Sequence, residues 1–230
     1  MRTVLGSARS VVAPERVGPQ EVSPQQRGSA QVSVFVLAGG ASTRMGSNKA
    51  LATVAGESLL SRVVNAAGHL GPVSIVGGDP SLLDHLSDPH RYSHIPDETP
   101  GSGPFAALIT ALQLLDGAAL SSGALSLEAL LLSCDLAAPR PDDLDLLLHT
   151  RRACDADIAV PLVGGRRQWH AIALSTRINP QLIARYDSGV RSLVRGFSGF
   201  SESVVATSSP DFFRDVDTPE ELQRLRSLVD

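Results

Sequence analysis

The sequence predicts an α/β fold built on a mostly parallel sheet. Three observations carry that expectation. Short apolar runs recur at 31–38, 73–76, 130–133 and 157–161, as strands buried on both faces require. Between them lie expected helices at 57–70, where apolar residues recur at helical spacing, and at 105–115 and 141–152. Gly and Pro mark most junctions. Strands alternating with helices imply parallel pairing through right-handed crossovers.

Taken in order, residues 1–30 carry Arg2, Arg9, Arg16 and Arg27 among prolines, glycines and polar runs, with no strand or helix period. They read as a disordered extension ahead of a domain spanning 31–230. The first strand covers 31–38. In helix 57–70, Leu59, Leu60, Val63, Val64 and Ala67 share one face. Strand 73–76 is closed by Gly77-Gly78-Asp79-Pro80, and a weaker strand ends at 94–97. Helix 105–115 follows a Pro/Gly loop, and 117–123 is expected to be a flexible loop. Strand 130–133 leads to helix 141–152, where Pro141 suits the first turn. Strands at 157–161 and 171–174 flank the turn Val163-Gly164-Gly165-Arg166-Arg167. A helix at 176–186 and short strands at 203–206 and 212–216 come next. Thr218-Pro219-Glu220-Glu221 opens the last helix with a capping box.

Composition narrows the function classes. Hydrophobic residues are 43% and charged residues 19%, with net charge −4 from 20 basic and 24 acidic residues. No clustered basic face suggests nucleic acid, and no run of 18 apolar residues suggests a membrane span. Cys134 and Cys154 lie outside any Cys-x-x-Cys pair. With no signal-peptide core in the first thirty residues, the expected location is a reducing cytoplasm.

The densest chemistry lies at 37–49. Leu37-Ala38-Gly39-Gly40 leaves the first strand, and Arg44 and Lys49 follow in a loop with three glycines and three hydroxyl residues. Backbone N–H groups in such a loop form a concave anion nest, and Arg and Lys add full charges. At the carboxyl end of a parallel strand this reads as a triphosphate cradle. The order is neither that of a P-loop nor that of the Gly-x-Gly-x-x-Gly fingerprint. Asp135, directly after an apolar strand, can hold Mg²⁺ beside a triphosphate, since Mg²⁺ commonly takes one or two carboxylates plus phosphate oxygens and water. A helix cap or loop acid is the alternative. Asp97 precedes Pro100-Gly101-Ser102-Gly103-Pro104, a loop that opens a helix N-terminus suited to anions. Its alternative is a turn Asp bonded to its own backbone. Asp215 and Asp217, two apart, share a face; Asp217 is the better second metal ligand, with solvent-facing acids as the alternative.

Leu-Ala-Gly-Gly-x-Ser-x-Arg-Met-Gly-x-x-Lys resembles the signature loop of nucleotidyltransferases that activate sugars, alditols and the molybdenum cofactor, most of all the molybdenum cofactor guanylyltransferases. Ser133-Cys134-Asp135-Leu136, Asp97 with its Pro-Gly loop, and Thr218-Pro219-Glu220 resemble that family's later motifs in the same order. Asp215 and Asp217 stand where the family usually shows Asn-x-Asn. The resemblance implies a three-layer α/β/α Rossmann-like sandwich with an antiparallel element in its second half. It implies GTP and molybdopterin as substrates, Mg²⁺ as metal, and a molybdoenzyme or cofactor-insertion protein as partner. On it, Arg44, Lys49 and Asp135 are catalytic. Leu37, Ala38, Gly39, Gly40, Lys49, Asp97 and Asp135 bind the nucleotide, and Asp135 and Asp217 the metal. Gly101 and Gly103 border the nucleotide, while Arg191, Arg195 and His170 are acceptor-side candidates. A CTP-dependent enzyme, a sugar or alditol phosphate acceptor, and a non-catalytic nucleotide-binding delivery protein are the other readings.

Overall fold

In the computed structural model, which describes residues 32–39, 48–99, 101–122, 128–206 and 215–229, the chain builds one eight-stranded sheet, a two-stranded hairpin and six α-helices among the described residues. The strands are β1 (Val32–Leu37), β2 (Thr53–Val54), β3 (Glu57–Ser58), β4 (Val73–Val76), β5 (Tyr92–Ile95), β6 (Glu128–Ser133), β7 (Ile158–Val163), β8 (Arg166–Arg167), β9 (Ala171–Ser175) and β10 (Glu202–Ala206). The helices are α1 (Leu59–Ala67), α2 (Pro104–Ser122), α3 (Pro141–Ala153), α4 (Asn179–Asp187), α5 (Leu193–Phe197) and α6 (Pro219–Val229).

The sheet runs β10-β7-β9-β6-β1-β4-β5, with β8 hairpinned onto β7. Pairs β1–β4, β1–β6, β4–β5 and β7–β10 are parallel; β9 is antiparallel to both β6 and β7. The expected mostly parallel sheet with one antiparallel insertion is the one observed.

Strand pleating splits the core in two, because successive side chains point to opposite faces. Val34 and Val36 of β1, with Leu130 and Leu132 of β6, pack against Leu60, Val63 and Val64 of α1 and Leu144 and Leu147 of α3. Phe35, Leu37 and Leu131 point the other way, to Phe105, Leu108 and Leu112 of α2, Leu182 of α4 and Phe197 of α5. The result is the three-layer sandwich. A third, smaller cluster joins Val54 and Leu59 to Val216, Leu222 and Leu225, docking α6 beside the β2–β3 hairpin.

Two expectations on the elements change. The loop expected at 117–123 is helical through Ser122, because α2 continues past Gly117. Ala118, Ala119 and Leu120 are strong helix formers and outweigh a single glycine's cost of about 1 kcal/mol. The expected helix at 176–186 is a 3-10 turn, Thr176–Ile178, followed by α4. Of the strand expected at 212–216, Asp215 forms an isolated antiparallel bridge to Leu136. Residues 211–214, like the expected extension 1–30, lie outside the described residues. The capping box forms: Thr218 Oγ1 accepts from Glu221 N at 3.2 Å, and Glu221 Oε2 from Thr218 N at 2.9 Å.

At the opposite edge from the loops, Glu128 is buried at the start of β6. It accepts from Arg151 Nε at 2.9 Å and Arg152 Nε at 2.6 Å, and Arg151 also donates to Ala156 O at 3.0 Å. Breaking such a pair leaves a buried charge uncompensated. Glu128→Ala is therefore expected to lower unfolding stability by about 3–5 kcal/mol in urea titration; a loss well under that range would mean that Arg151 finds another partner.

Candidate active site

β1 is the point where the chain order reverses: β4 and β5 extend the sheet to one side of it, and β6 then starts the other. Ligands of open α/β sheets sit outside the carboxyl ends of the strands at such a switch point. Here the parallel pairing runs on beyond the strands. Ala38 N donates to Val76 O at 2.9 Å, Gly77 N to Ile95 O at 2.8 Å, and Cys134 N to Leu37 O at 3.0 Å. These bonds bring Ala38-Gly39, Gly77-Gly78, Asp97 and Asp135 to one edge.

Ala38 and Gly39, after β1, rest on Gly77 and Gly78. Both adopt left-handed backbone, with φ of 75° and 70°. A Cβ on Gly77 would lie 3.1 Å from Gly39 Cα, and one on Gly78 would lie 3.1 Å from Ala38 O. Only glycine combines that φ with that approach. Read as sequence, this pair only closed a strand; its role as the floor of the neighbouring loop carried no local signal. Asp97 makes the turn bond and also lies beside Gly39. Its Oδ1 accepts from Thr99 N at 3.0 Å, the turn-capping bond, while Oδ2 lies 3.6 Å from where a Gly39 Cβ would sit. Gly40 and Arg44 lie outside the described residues.

Lys49 begins a 3-10 turn, Lys49–Leu51, capped by the Asn48 side chain and anchored by buried Ala50. Its Nζ donates to Asp135 Oδ2 at 2.5 Å and to Asp217 Oδ1 at 2.6 Å. The Lys49 and Asp135 side chains are 11% and 15% exposed, so the pair is shielded from water. Burial pulls the Lys49 ammonium down, but its bonds to the two acids outweigh burial and hold it above its ordinary 10.5. Asp135 Oδ1 is buried with no hydrogen-bond partner. Val216 N donates to Asp135 O at 3.1 Å, and the Leu136–Asp215 bridge ties the two segments together. Glu221 Oε2 accepts from Asp217 N at 2.7 Å, so the capping box of α6 also orients Asp217.

Asp215 and Asp217 lie close enough for each to shift the other's carboxyl. Burial pushes the Asp215 carboxyl up, against the pull of His170, whose Nε2 lies 3.4 Å from Asp215 Oδ2. The bond from Lys49 holds Asp217 below its ordinary 3.8. His170 reaches the site because β9 is antiparallel: its carbonyl accepts from Ser133 N at 2.8 Å. A cavity of about 310 Å³ opens between Leu37, Gly39 and Asp135 on one side and Trp169, His170 and Leu193 on the other. Trp169 stacks on Phe197 with centroids 6.2 Å apart. Trp169 and Leu193 were not singled out by the sequence; their apolar character alone marks core as readily as site. Arg191 is engaged elsewhere, donating to Tyr186 O at 2.6 Å with its guanidinium over the Tyr186 ring. Arg195 is exposed on α5.

Residues 34–204 match the model of the MobA-like NTP transferase domain. A protein of Trichormus variabilis named as a probable molybdenum cofactor guanylyltransferase is 30% identical over 202 residues, covering 86% of this chain and 92% of the relative. Among solved structures, the molybdopterin-guanine dinucleotide biosynthesis protein A of Archaeoglobus fulgidus superposes with a TM-score of 0.67 at 18% identity, over 85% of this chain and 97% of that one. A Mycobacterium tuberculosis protein solved in complex with manganese gives 0.62 at 22% identity, over 86% and 98%. These two likenesses are of fold, and it is the domain match, spanning most of the chain, that decides kinship: the protein belongs to the MobA-like NTP transferase family of nucleotidyltransferases.

Proposed function

We propose that this protein transfers GMP from GTP to the phosphate of molybdenum-molybdopterin, forming the guanine dinucleotide cofactor and releasing pyrophosphate, with Mg²⁺ as its metal. The observation that carries the proposal is the convergence of Lys49, Asp135 and Asp217 beside the cavity at the β1–β6 switch point. The name of the Trichormus relative supports the choice of guanylyl transfer.

The donor set suits a hard divalent cation. Asp135 Oδ1 is an orphaned buried oxygen, and Asp135 and Asp217 already gather around one cation, the Lys49 ammonium. Among the described residues no cluster of three or more His, Cys, Asp or Glu is placed to hold a metal. Asp135 and Asp217 would therefore hold Mg²⁺ with its other positions filled by phosphate oxygens and water. When bound, the ion supplies neutralisation of charge on the phosphates.

The remaining work falls to the chain. An acceptor phosphate attacking an α-phosphorus meets like charge, so positioning and neutralisation provide most of the acceleration. Lys49 provides an ammonium that stays charged, and Arg44 adds a guanidinium from the signature loop. The backbone of Leu37, Ala38, Gly39 and Gly40 cradles the triphosphate, and Asp97 lines the nucleotide side. On the other side, Trp169 and Leu193 form an apolar wall suited to a flat heterocycle such as a pterin. The acceptor phosphate is ionised at neutral pH and requires no general base. Cys134 is no nucleophile here, because burial, reinforced by Asp135, pushes its thiol up to about 12. The proposal places the reaction in the cytoplasm, with a molybdoenzyme or insertion protein receiving the product. Among the described residues no helix is long and apolar enough to cross a membrane.

With Mg²⁺, molybdenum-loaded molybdopterin and each NTP in turn, pyrophosphate release is expected with GTP. Release with CTP, or only with a sugar or alditol phosphate, would reassign the substrate; binding without release under every acceptor would make the protein a carrier. Lys49→Ala and Asp135→Ala should each lower kcat/KM by about 10²–10³-fold with an unchanged circular dichroism spectrum; retained turnover would remove them from the mechanism. At pH 8, a maleimide should titrate exposed Cys154 in the native protein and Cys134 only after unfolding; two fast equivalents would contradict its burial. The lowered Asp217 contributes stability above 3.8 that is lost as pH falls, and the raised Lys49 contributes stability below 10.5 that is lost as pH rises. The melting-temperature gap between wild type and Lys49→Met should therefore be full at neutral pH and narrow beyond either limit; a gap independent of pH would show that packing, not charge, sets it.

A further inference from the structure

We propose that Lys49 is the exchangeable counter-ion of the metal site: in the nucleotide-free enzyme its ammonium holds the place between Asp135 and Asp217, and it yields that place as it turns to the triphosphate, so that a divalent cation binds strongly only together with nucleotide. This rests on the metal and nucleotide reading above and adds the order in which the site fills.

The geometry makes the two cations rivals. Lys49 Nζ is 2.5 Å from Asp135 Oδ2 and 2.6 Å from Asp217 Oδ1. Mg²⁺ binds oxygen at about 2.0–2.1 Å, so an ion on those same oxygens would take the space that the ammonium fills, and an ion on the orphaned Asp135 Oδ1 and Asp217 would lie directly beside it. A divalent ion and an ammonium side by side in a half-buried site would also repel. With nucleotide absent, Asp135 and Asp217 offer that ion carboxylates already neutralised in part by Lys49. The triphosphate changes both terms, supplying oxygens to complete the metal's shell and a competing anion for the lysine.

The residue type fits the task. Lys49 is the only lysine among the 230 residues, against 19 arginines. The other 19 of the 20 Lys and Arg residues are arginines, so the ammonium at this position does not follow from composition. An Arg would grip the carboxylates through a planar fork, whereas Lys is a compact point charge on a flexible four-carbon stem that can redirect. In the empty enzyme it also keeps two nearby carboxylates, with Asp215 behind them, from repelling one another.

The uniqueness of Lys49 supplies the test. Mn²⁺ binding, read by the electron paramagnetic resonance of the free ion, should be weak in nucleotide-free wild type. In Lys49→Met it should tighten within the usual range of coupling between sites, about 5–150-fold, and Lys49→Met/Asp135→Asn should abolish the gain. Equal affinity in wild type and Lys49→Met, or binding by neither, overturns the proposal; this arm uses no nucleotide and so is independent of the GTP reading. The second arm uses wild type alone and stands whether or not the variants fold. With ¹⁵N-lysine incorporated, the side-chain ammonium gives one resonance. It should hold its position with Mg²⁺ alone and move when GTP is added with Mg²⁺. A move with Mg²⁺ alone, or none with any nucleotide that binds, overturns the exchange. A move with CTP instead of GTP supports the exchange and overturns only the choice of base.

Discussion

The ammonium of Lys49, held between Asp135 and Asp217, is the interaction on which the organisation of this edge of the molecule depends. It joins a 3-10 turn to an acid 86 residues further on and to another 168 residues further on. Each partner is fixed by its own element: Asp135 by the end of β6, Asp217 by the capping box of α6, and Lys49 by the Asn48-capped turn. Two carboxylates brought this close, with Asp215 beside them, require a cation. The acids in turn keep Lys49 charged although it is half-buried. The charge balance and the geometry are therefore one arrangement.

That arrangement is possible because of where β1 lies. With β4 on one side and β6 on the other, its carboxyl end receives loops from both halves of the sheet. Layers on both faces leave the strand ends as the open edge. The antiparallel insertion of β9 then adds what an all-parallel sheet would lack, bringing the start of a strand, with Trp169 and His170, to an edge otherwise made of strand ends. The opposite edge is closed by the buried Glu128 cluster, which ties β6 to α3 away from the site.

Much of the fold was legible because its strands are buried on both faces and so appear as continuous apolar runs. Helix α1 was legible through its periodicity, and α3 through Pro141 in its first turn after a buried strand. The hairpin β2–β3 and the five-residue α5 were not, since two-residue strands and little more than one helical turn carry no measurable period. The segment after Gly117 misled because glycine and serine mark loops locally, while α2 extends through them. Among the site residues, Lys49, Asp135 and Asp97 could be picked out by their place in motifs. Gly77, Gly78, Trp169 and Leu193 could not, because each acts by touching a segment distant in sequence. Arg191 illustrates the converse, a motif-like arginine engaged by Tyr186.

By itself the sequence determined the inventory: a glycine-rich loop with an arginine and a single lysine, a carboxylate at a strand end, an acid pair before a capped helix, and the periodicities that make a parallel sheet. These are local properties, written in residue type and spacing. Which acids share a cation, and on which side of it the cavity opens, was decided only by the tertiary structure. The register of β1 against β6, the bridge from Leu136 to Asp215 and the direction of β9 set those distances. All three are long-range hydrogen-bonded pairings, and no spacing along the chain encodes them.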